Sequence, residues 1–367
     1  MNMIITAENN YKALDAWLQN RKKVLLVCDS SIRFLENFNR KLAEIAVPMV
    51  RFSDFQPNPL YDSVVRGVEL FRAENCDCII AVGGGSAMDV AKCIKLYSNL
   101  PGNGQNGEWL KAQIVPNRIP FLAMPTTAGT GSEATRYAVV YFHDAKQSIT
   151  SESCIPETVL MDPNALKTLP MYQRKATMCD ALCHAIESFW SVNSTDESKD
   201  YSRTAIRTVL ENMQGYLDNT DEGNAGMLRA AHLAGEAINI TQTTAGHAMC
   251  YKITSLFGAA HGHAAILCDR ILFPWMIRNT AGCIDRRGEQ YLKQTLDEIG
   301  IAMGAADARG GAEKLTRIFQ DLAFEVPKAA PEQYEELKMS VNPVRLKNHP
   351  VALDMDTIDA LYHQILR

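Results

Sequence analysis

The stretch CIIAVGGGSAMDVAK, residues 78–92, sets an apolar run, three consecutive glycines and a helix-forming segment end to end. Residues 78–82 are apolar throughout rather than alternating, as expected of a strand covered by helices on both faces of a parallel sheet. Gly83, Gly84 and Gly85 free the backbone to take φ > 0 and approach a ligand without Cβ clashes. The N–H groups opening the next helix then favour negative charge. A strand, a glycine turn and a helix in this order read as an anion site. A second reading stands beside it, because Ser86 and Asp89 have the spacing of a capping box and would then serve only their own helix end.

Working outward, residues 24–28 and 49–52 read as strands and 32–45 and 60–75 as helices, a βαβαβ rhythm running into the quoted segment. Further strands are expected at 121–124, 138–142 and 158–161. In such a sheet ligands bind beyond the strands' C-terminal ends. From about residue 166 the apolar spacing becomes i, i+3, i+4, as in 181–190, 201–213, 227–240 and 315–322, so the second half is expected to be all-helical. Gly223 to Gly226, Gly310-Gly311 and Asn342-Pro343 read as helix connections.

The 367 residues, 47% hydrophobic and 22% charged, suit a soluble globular chain of two domains with a cleft between them. A net charge of -5 without a basic run excludes nucleic acid as a partner. No run of 18 apolar residues predicts a membrane span, and MNMIITAENN lacks the pattern of a secretory leader, so a cytoplasmic location is expected. The ten cysteines include no CxxC pair and read as reduced, mostly buried thiols.

PTTAGTGSE, residues 125–133, follows the next strand. Thr126, Thr127, Thr130 and Ser132 offer hydroxyls to a pyrophosphate or ribose at the same sheet edge, a solvated loop being the plain alternative. Asp29 ends strand 24–28, where a carboxylate accepts from a ribose 2′-OH and repels a 2′-phosphate, favouring NAD over NADP. An N-cap for the helix from about Ser31 explains it nearly as well.

The histidines carry the sharpest signal. Asp180 and His184, in CDALCHAIE, are four apart on one helix face. His247 and His261 would lie roughly 21 Å apart in one straight helix, so the chain must turn between them, and Gly258 is suited to end the first helix. One aspartate and three histidines make an N₃O set with an open position, suited to Fe²⁺ or Zn²⁺ at about 2.0–2.2 Å. His143, His232, His349 and His363 lack partners at ligand spacing and read as surface or hydrogen-bonded polar positions. His263 is a candidate for substrate or cofactor contact.

FQPNP at 55–59, GGGSAMDVAK at 83–92, PTTAGTGSE, DALCHAIE at 180–187 and the GHA…HGH segment together resemble the iron-dependent alcohol dehydrogenase family. The resemblance implies a dehydroquinate synthase-like fold, with an α/β dinucleotide-binding domain containing a parallel sheet over residues 1–165, an all-helical metal-binding domain over 166–367, and the metal in the cleft. It implies metal ligands Asp180, His184, His247 and His261, with Fe²⁺ first and Zn²⁺ second. It implies cofactor contacts from Asp29, Gly84, Gly85, Ser86, Asp89, Thr126, Thr127, Thr130 and Lys146, with NAD first and NADP second, and it makes a homodimer plausible.

The implied activity is hydride transfer between NAD(H) and a small aldehyde or primary alcohol. Many members carry a further histidine where this chain has Tyr251, a far weaker base, so Tyr251 joins His263 as a catalytic candidate while solvent or ribose hydroxyls are alternative proton routes. Residues 248–264 and SVNPVRLKNHPV, 340–351, are more similar to a subgroup that includes phosphonoacetaldehyde reductases, which makes phosphonoacetaldehyde a candidate substrate. Lys252 and Arg136 are the cations expected to meet an anionic substrate. The alternative activity is an NAD- and metal-dependent cyclase of the dehydroquinate synthase type, which calls for a richer Lys/Arg cluster. A silent oligomeric scaffold is the third.

Overall fold

The structure is a computed structural model that describes residues 2–143 and 145–366. It divides into two compact units, residues 2–127 with Gly131–Leu169, and Ala128–Thr130 with residues 170–366.

The first unit contains strands β1 (Met3–Thr6), β2 (Val24–Cys28), β3 (Met49–Phe52), β4 (Cys78–Gly83), β5 (Phe121–Pro125), β6 (Tyr137–Phe142), β7 (Ala145–Thr150) and β8 (Thr158–Met161), and helices α1 (Glu8–Leu18), α2 (Glu36–Glu44), α3 (Tyr61–Ala73) and α4 (Gly85–Tyr97). Among the described residues, six strands form one parallel sheet in the order β1-β8-β5-β4-β2-β3. Leu25, Val27, Ile79, Ala81, Phe121 and Ala123 face the layer of α3 and α4. Their neighbours Val24, Leu26, Cys78, Ile80 and Leu122 face α1 and α2. Both faces are covered, which is why these strands are apolar without alternation. Each such Val, Leu or Ile contributes about 1.5–3 kcal/mol by leaving water.

The chain steps from β2 outward to β3, crosses back to β4, and then runs the other way to β5. Adjacent strands β2 and β4 therefore lead into helices on opposite faces, and their C-terminal ends flank a topological switch point, where open α/β sheets bind ligands.

Two strands escaped the sequence reading: β1 is four residues long, and β7 (AKQSIT) is largely polar. The expected strand at 138–142 exists, but β6 pairs antiparallel with β7 in a separate ribbon. The expected helix at 32–45 is a 3₁₀ turn, Ser30–Phe34, followed by α2.

The second unit contains α5 (Met171–Trp190), α6 (Asp196–Leu217), α7 (Asp221–Thr241), α8 (Ala245–Phe257), α9 (His261–Arg278), α10 (Glu289–Ala302), α11 (Ala308–Asp321), α12 (Pro331–Met339), α13 (Pro343–Leu346) and α14 (Met355–Ile365). The glycines at 223 and 311 are not helix connections. They lie inside α7 and α11, where a Cβ would come within 2.1 Å of the Gly215 backbone and 2.6 Å of Gly300 Cα. They let helices touch, whereas Asn342 does cap a new helix with Pro343 at its first position. No helix among the described residues is long and apolar enough to cross a membrane.

Candidate metal centre and nucleotide loops

Helix α5 buries Asp180, His184 and Glu187, one and two turns apart on one face. His247 enters from the first turn of α8 and His261 from the first residue of α9. The turn between them works as the sequence predicts, because α8 stops at Gly258 in the left-handed region (φ 69°). Two further glycines set the approach of these helices to α5. A Cβ on Gly262 would sit 1.9 Å from the Ala176 carbonyl oxygen, and one on Gly246 would sit 2.0 Å from Asp269 Oδ1 and 2.7 Å from Glu187 Oε1.

The result is a group in which one donor atom each from Asp180, His247 and His261 all lie within 4.8 Å of one another. His247 Nε2 is 3.4 Å from Asp180 Oδ1, and His261 Nε2 is 3.9 Å from the same oxygen. Glu187, which the sequence reading missed, organises the set. Its carboxylate bonds His247 Nδ1 and accepts from the His247 N–H at 3.0 Å and from the Thr244 N–H and hydroxyl, each at 2.6 Å. With Nδ1 committed to Glu187, Nε2 is turned to Asp180. The available signal was position, since Glu187 falls seven residues after Asp180 in the same motif.

Electrostatics follow from burial and proximity. Burial alone would raise the Asp180 carboxyl, but His184, His247 and His261 hold it below its ordinary value. Burial opposes charge on His247, yet Glu187 and Asp180 push its imidazole up. For Glu187 burial is likewise outweighed by His247 and Thr244, and the carboxyl is lowered.

His184, expected as the fourth ligand, is not part of the mutual set. Its ring lies nearly flat against His247, centroids 4.3 Å apart and planes 15° apart. Burial lowers its pKa to about 4. Its Nδ1 is buried without a hydrogen-bond partner among the described residues.

His263 is not available for catalysis as expected. Its Nδ1 is 3.0 Å from the Tyr172 hydroxyl, its Nε2 is 2.9 Å from the Glu325 carbonyl oxygen, and Phe324 stacks on the ring at 4.2 Å. Both nitrogens are spent inside the protein. The His349 ring is neither exposed nor hydrogen-bonded among the described residues. It is fully buried beside Trp190, with neither nitrogen partnered among the described residues, and burial lowers its pKa to about 4.

Tyr251 stacks on His261, ring centroids 5.2 Å apart, and its hydroxyl accepts from Arg345 Nη1 at 2.8 Å. Burial pushes its pKa up to about 12, with Arg345 opposing.

In the first unit Asp29, Gly84, Gly85, Ser86, Thr126 and Thr127 follow the C-terminal ends of β2, β4 and β5, while Asp89 lies further along α4 and Lys146 on β7. Asp29 caps the following 3₁₀ turn through the Ser31 N–H (2.8 Å) and also accepts from the Gly84 N–H (3.2 Å). Ser31 and Thr126 hydroxyls meet at 3.2 Å, and Thr127 lies against Gly84. Helix α4 starts at Gly85 with Gly84 as N-cap and no side-chain cap. Ser86 therefore lies inside the helix, and the capping-box reading of Ser86 and Asp89 fails. Asp89 instead accepts from Ser132 at 3.4 Å, and Lys146, on β7, acts on it electrostatically. Thr130 groups with the helical unit, as does Gly129, which packs on Thr177 of α5.

A parallel sheet with a glycine turn at its switch point, and a buried carboxylate–imidazole donor set on a separate helical unit, define a two-part class of metal-centred proteins with a dinucleotide-type fold. Residues 2–163 match the family model described as iron-containing alcohol dehydrogenase. Residues 175–365 match the model for the C-terminal part of the Fe-containing alcohol dehydrogenase family. The chain belongs to the iron-containing alcohol dehydrogenase family.

It is 31% identical over 261 residues to a phosphonoacetaldehyde reductase of Streptomyces viridochromogenes, covering 68% of this chain and 66% of that protein. It is 30% identical over 277 residues to an aldehyde-alcohol dehydrogenase of Streptococcus pneumoniae, covering 70% of this chain but 31% of the relative. Its fold matches the crystal structure of a sulfoacetaldehyde reductase from Bifidobacterium kashiwanohense in complex with NAD+, with a TM-score of 0.87, 23% identity, and coverage of 100% of this chain and 97% of that one. These relatives are reductases and dehydrogenases and lend nothing to the cyclase alternative.

Proposed function

We propose that this chain interconverts a small aldehyde and its primary alcohol, with NAD(H) as redox partner and a divalent cation held by Asp180, His247 and His261. The observation that carries this reading is the convergence of those three donor atoms within 4.8 Å from three different helices. The residues fit the ion: one carboxylate and imidazoles, without a thiolate, suit Fe²⁺ or Zn²⁺. His184 is the fourth ligand in this reading, its ring buried and stacked on His247 with centroids 4.3 Å apart. Residues 1–165 are the dinucleotide-binding domain and 166–367 the metal-binding domain.

A divalent cation bound there supplies Lewis acidity toward the substrate oxygen. NAD(H) supplies the hydride chemistry. The chain's own residues do the rest. Glu187 holds His247 in one tautomer and orientation. Gly83, Gly84 and the uncapped start of α4 accept a phosphate, with Gly85, Ser86, Thr126, Thr127 and Thr130 as further contacts and Lys146 toward the ribose. Asp29, at the switch point, accepts from the adenosine ribose and disfavours a 2′-phosphate, giving NAD preference over NADP. Tyr251, its pKa raised to about 12, keeps its proton at the hydroxyl near neutral pH and acts as a donor rather than a base. The location is cytoplasmic and the assembly a homodimer in this reading.

The test is NADH and NADPH oxidation by iron- and zinc-reconstituted protein with short aldehydes, phosphonoacetaldehyde among them. Metal-dependent NADH oxidation supports the proposal. Metal-loaded protein that consumes neither cofactor with any aldehyde overturns it.

A further inference from the structure

The sequence offers Lys252 and Arg136 as cations for an anionic substrate, and both are neutralised within the fold. Lys252 Nζ is 2.5 Å from Glu336, and Arg136 Nη1 is 2.6 Å from Glu152. Arg345 differs. It stands on α13, in a short arm tied back by Asn348, which donates to Gln242 Oε1 at 3.1 Å and the Thr243 carbonyl at 3.2 Å. Its Nη1 donates to the Tyr251 hydroxyl at 2.8 Å and to Thr243 Oγ1 at 3.2 Å, and its guanidinium lies over the Tyr251 ring, 4.8 Å from the centroid.

These contacts fix the plane of the guanidinium and leave the Nε–Nη2 edge without an acceptor among the described residues. No carboxylate among the described residues pairs with it. That edge is the side of an arginine that grips an oxyanion through two parallel N–H bonds. Tyr251, which holds Arg345, stacks on His261, and the His261 side chain is 34% exposed while those of Asp180 and His247 are 3% and 1% exposed. His261 is thus the most exposed of the three donors, and Tyr251 lies in contact with both it and Arg345. A guanidinium edge with no carboxylate partner is chemically suited to an incoming oxyanion.

We propose that Arg345 is the specificity residue of this site, receiving the terminal oxyanion of a short aldehyde whose carbonyl faces the Asp180–His247–His261 set. This inference rests on the proposed aldehyde–alcohol reading. Its substrate class is a short aldehyde with a phosphonate or sulfonate at the far end. Thr243 and Tyr251 hold the guanidinium in place, and the fork supplies recognition.

The experiment compares metal-loaded wild type, Arg345→Met and Arg345→Lys on phosphonoacetaldehyde, sulfoacetaldehyde and acetaldehyde. In R345M the ratio of kcat/KM for the preferred anionic aldehyde to that for acetaldehyde falls tenfold or more, mainly through KM. R345K, which keeps the charge without the fork, falls between. The larger loss identifies phosphonate or sulfonate as the preferred head group. Calorimetric binding of methylphosphonate and methanesulfonate to the same proteins needs no turnover, and tenfold or greater weakening in R345M is expected. Equal losses on charged and neutral aldehydes, or binding unaffected by R345M or absent in wild type, overturn the role of Arg345. Wild type that binds methylphosphonate but oxidises NADH with no aldehyde leaves the arginine site standing and removes the aldehyde–alcohol reading instead.

Discussion

Glu187 holds His247 by the ring nitrogen that faces away from Asp180, and through that one contact decides which nitrogen His247 presents to the donor set. Replacing it with glutamine keeps the shape but admits the wrong tautomer. Glu187→Gln is therefore expected to weaken metal binding roughly 10–100-fold, read by competition with a chelator, while the helical content in circular dichroism stays at the wild-type level. Unaltered metal affinity would mean that the orientation of His247 is set elsewhere.

Gly262 controls the approach of α9 to α5. An alanine there would put its Cβ 1.9 Å from the Ala176 carbonyl oxygen, so the start of α9 must retreat and take His261 with it. Overpacking of this kind costs about 1–3 kcal/mol. Gly262→Ala is expected to lower the thermal midpoint and to lose metal affinity. Full metal content at wild-type stability would show that the close approach is not required.

Asp29 serves two neighbours, the Ser31 and Gly84 N–H groups, and both lie at the proposed cofactor edge. Asp29→Ala is expected to cost about 0.5–2 kcal/mol of stability as a lost cap. If the carboxylate also discriminates cofactors, KM for NADH rises while KM for NADPH falls or stays level. A stability loss with no change in the NADH to NADPH ratio would leave Asp29 a structural cap alone.

Burial pushes the Asp89 carboxyl up to about 6 from an ordinary 3.8, with Lys92, the Val139 backbone, Ser132 and Lys146 opposing. A carboxyl raised on folding stabilises the fold below its unfolded value, and that contribution is lost as pH rises through the folded one. Relative to Asp89→Asn, wild type should lose on the order of 2 kcal/mol between pH 4 and pH 7, at 1.36 kcal/mol per pKa unit. Urea midpoints across that range measure it, and a flat difference would contradict the raised value.

The parallel sheet could be read from sequence because its central strands are buried on both faces, so 24–28, 78–82 and 121–124 carry their own apolar signature, while the edge strand 49–52 was legible from its place in the βαβ rhythm. β1 and β7 could not, being short or polar, with positions decided by partners far along the chain. The donor set divides in the same way. Asp180 and His184 share a helix and a visible spacing, and Gly258 announces the turn before His261. Glu187 required knowing that α8 begins close enough for Thr244 and His247 to reach it. His263 misled because its nearness to His261 in sequence hides that Tyr172 and Glu325 take both its nitrogens. Arg345 was invisible among the surface charges, since only the folded arm brings it to Tyr251.

The proposed function requires that side chains from α5, α8 and α9 hold a single divalent cation. Elemental analysis of wild type, Asp180→Asn and His261→Ala, each reconstituted with iron or zinc and desalted, tests it most directly. Stoichiometric metal in wild type and its loss from both variants, with the fold intact, is the predicted result; variants that keep their metal at the wild-type level would contradict it.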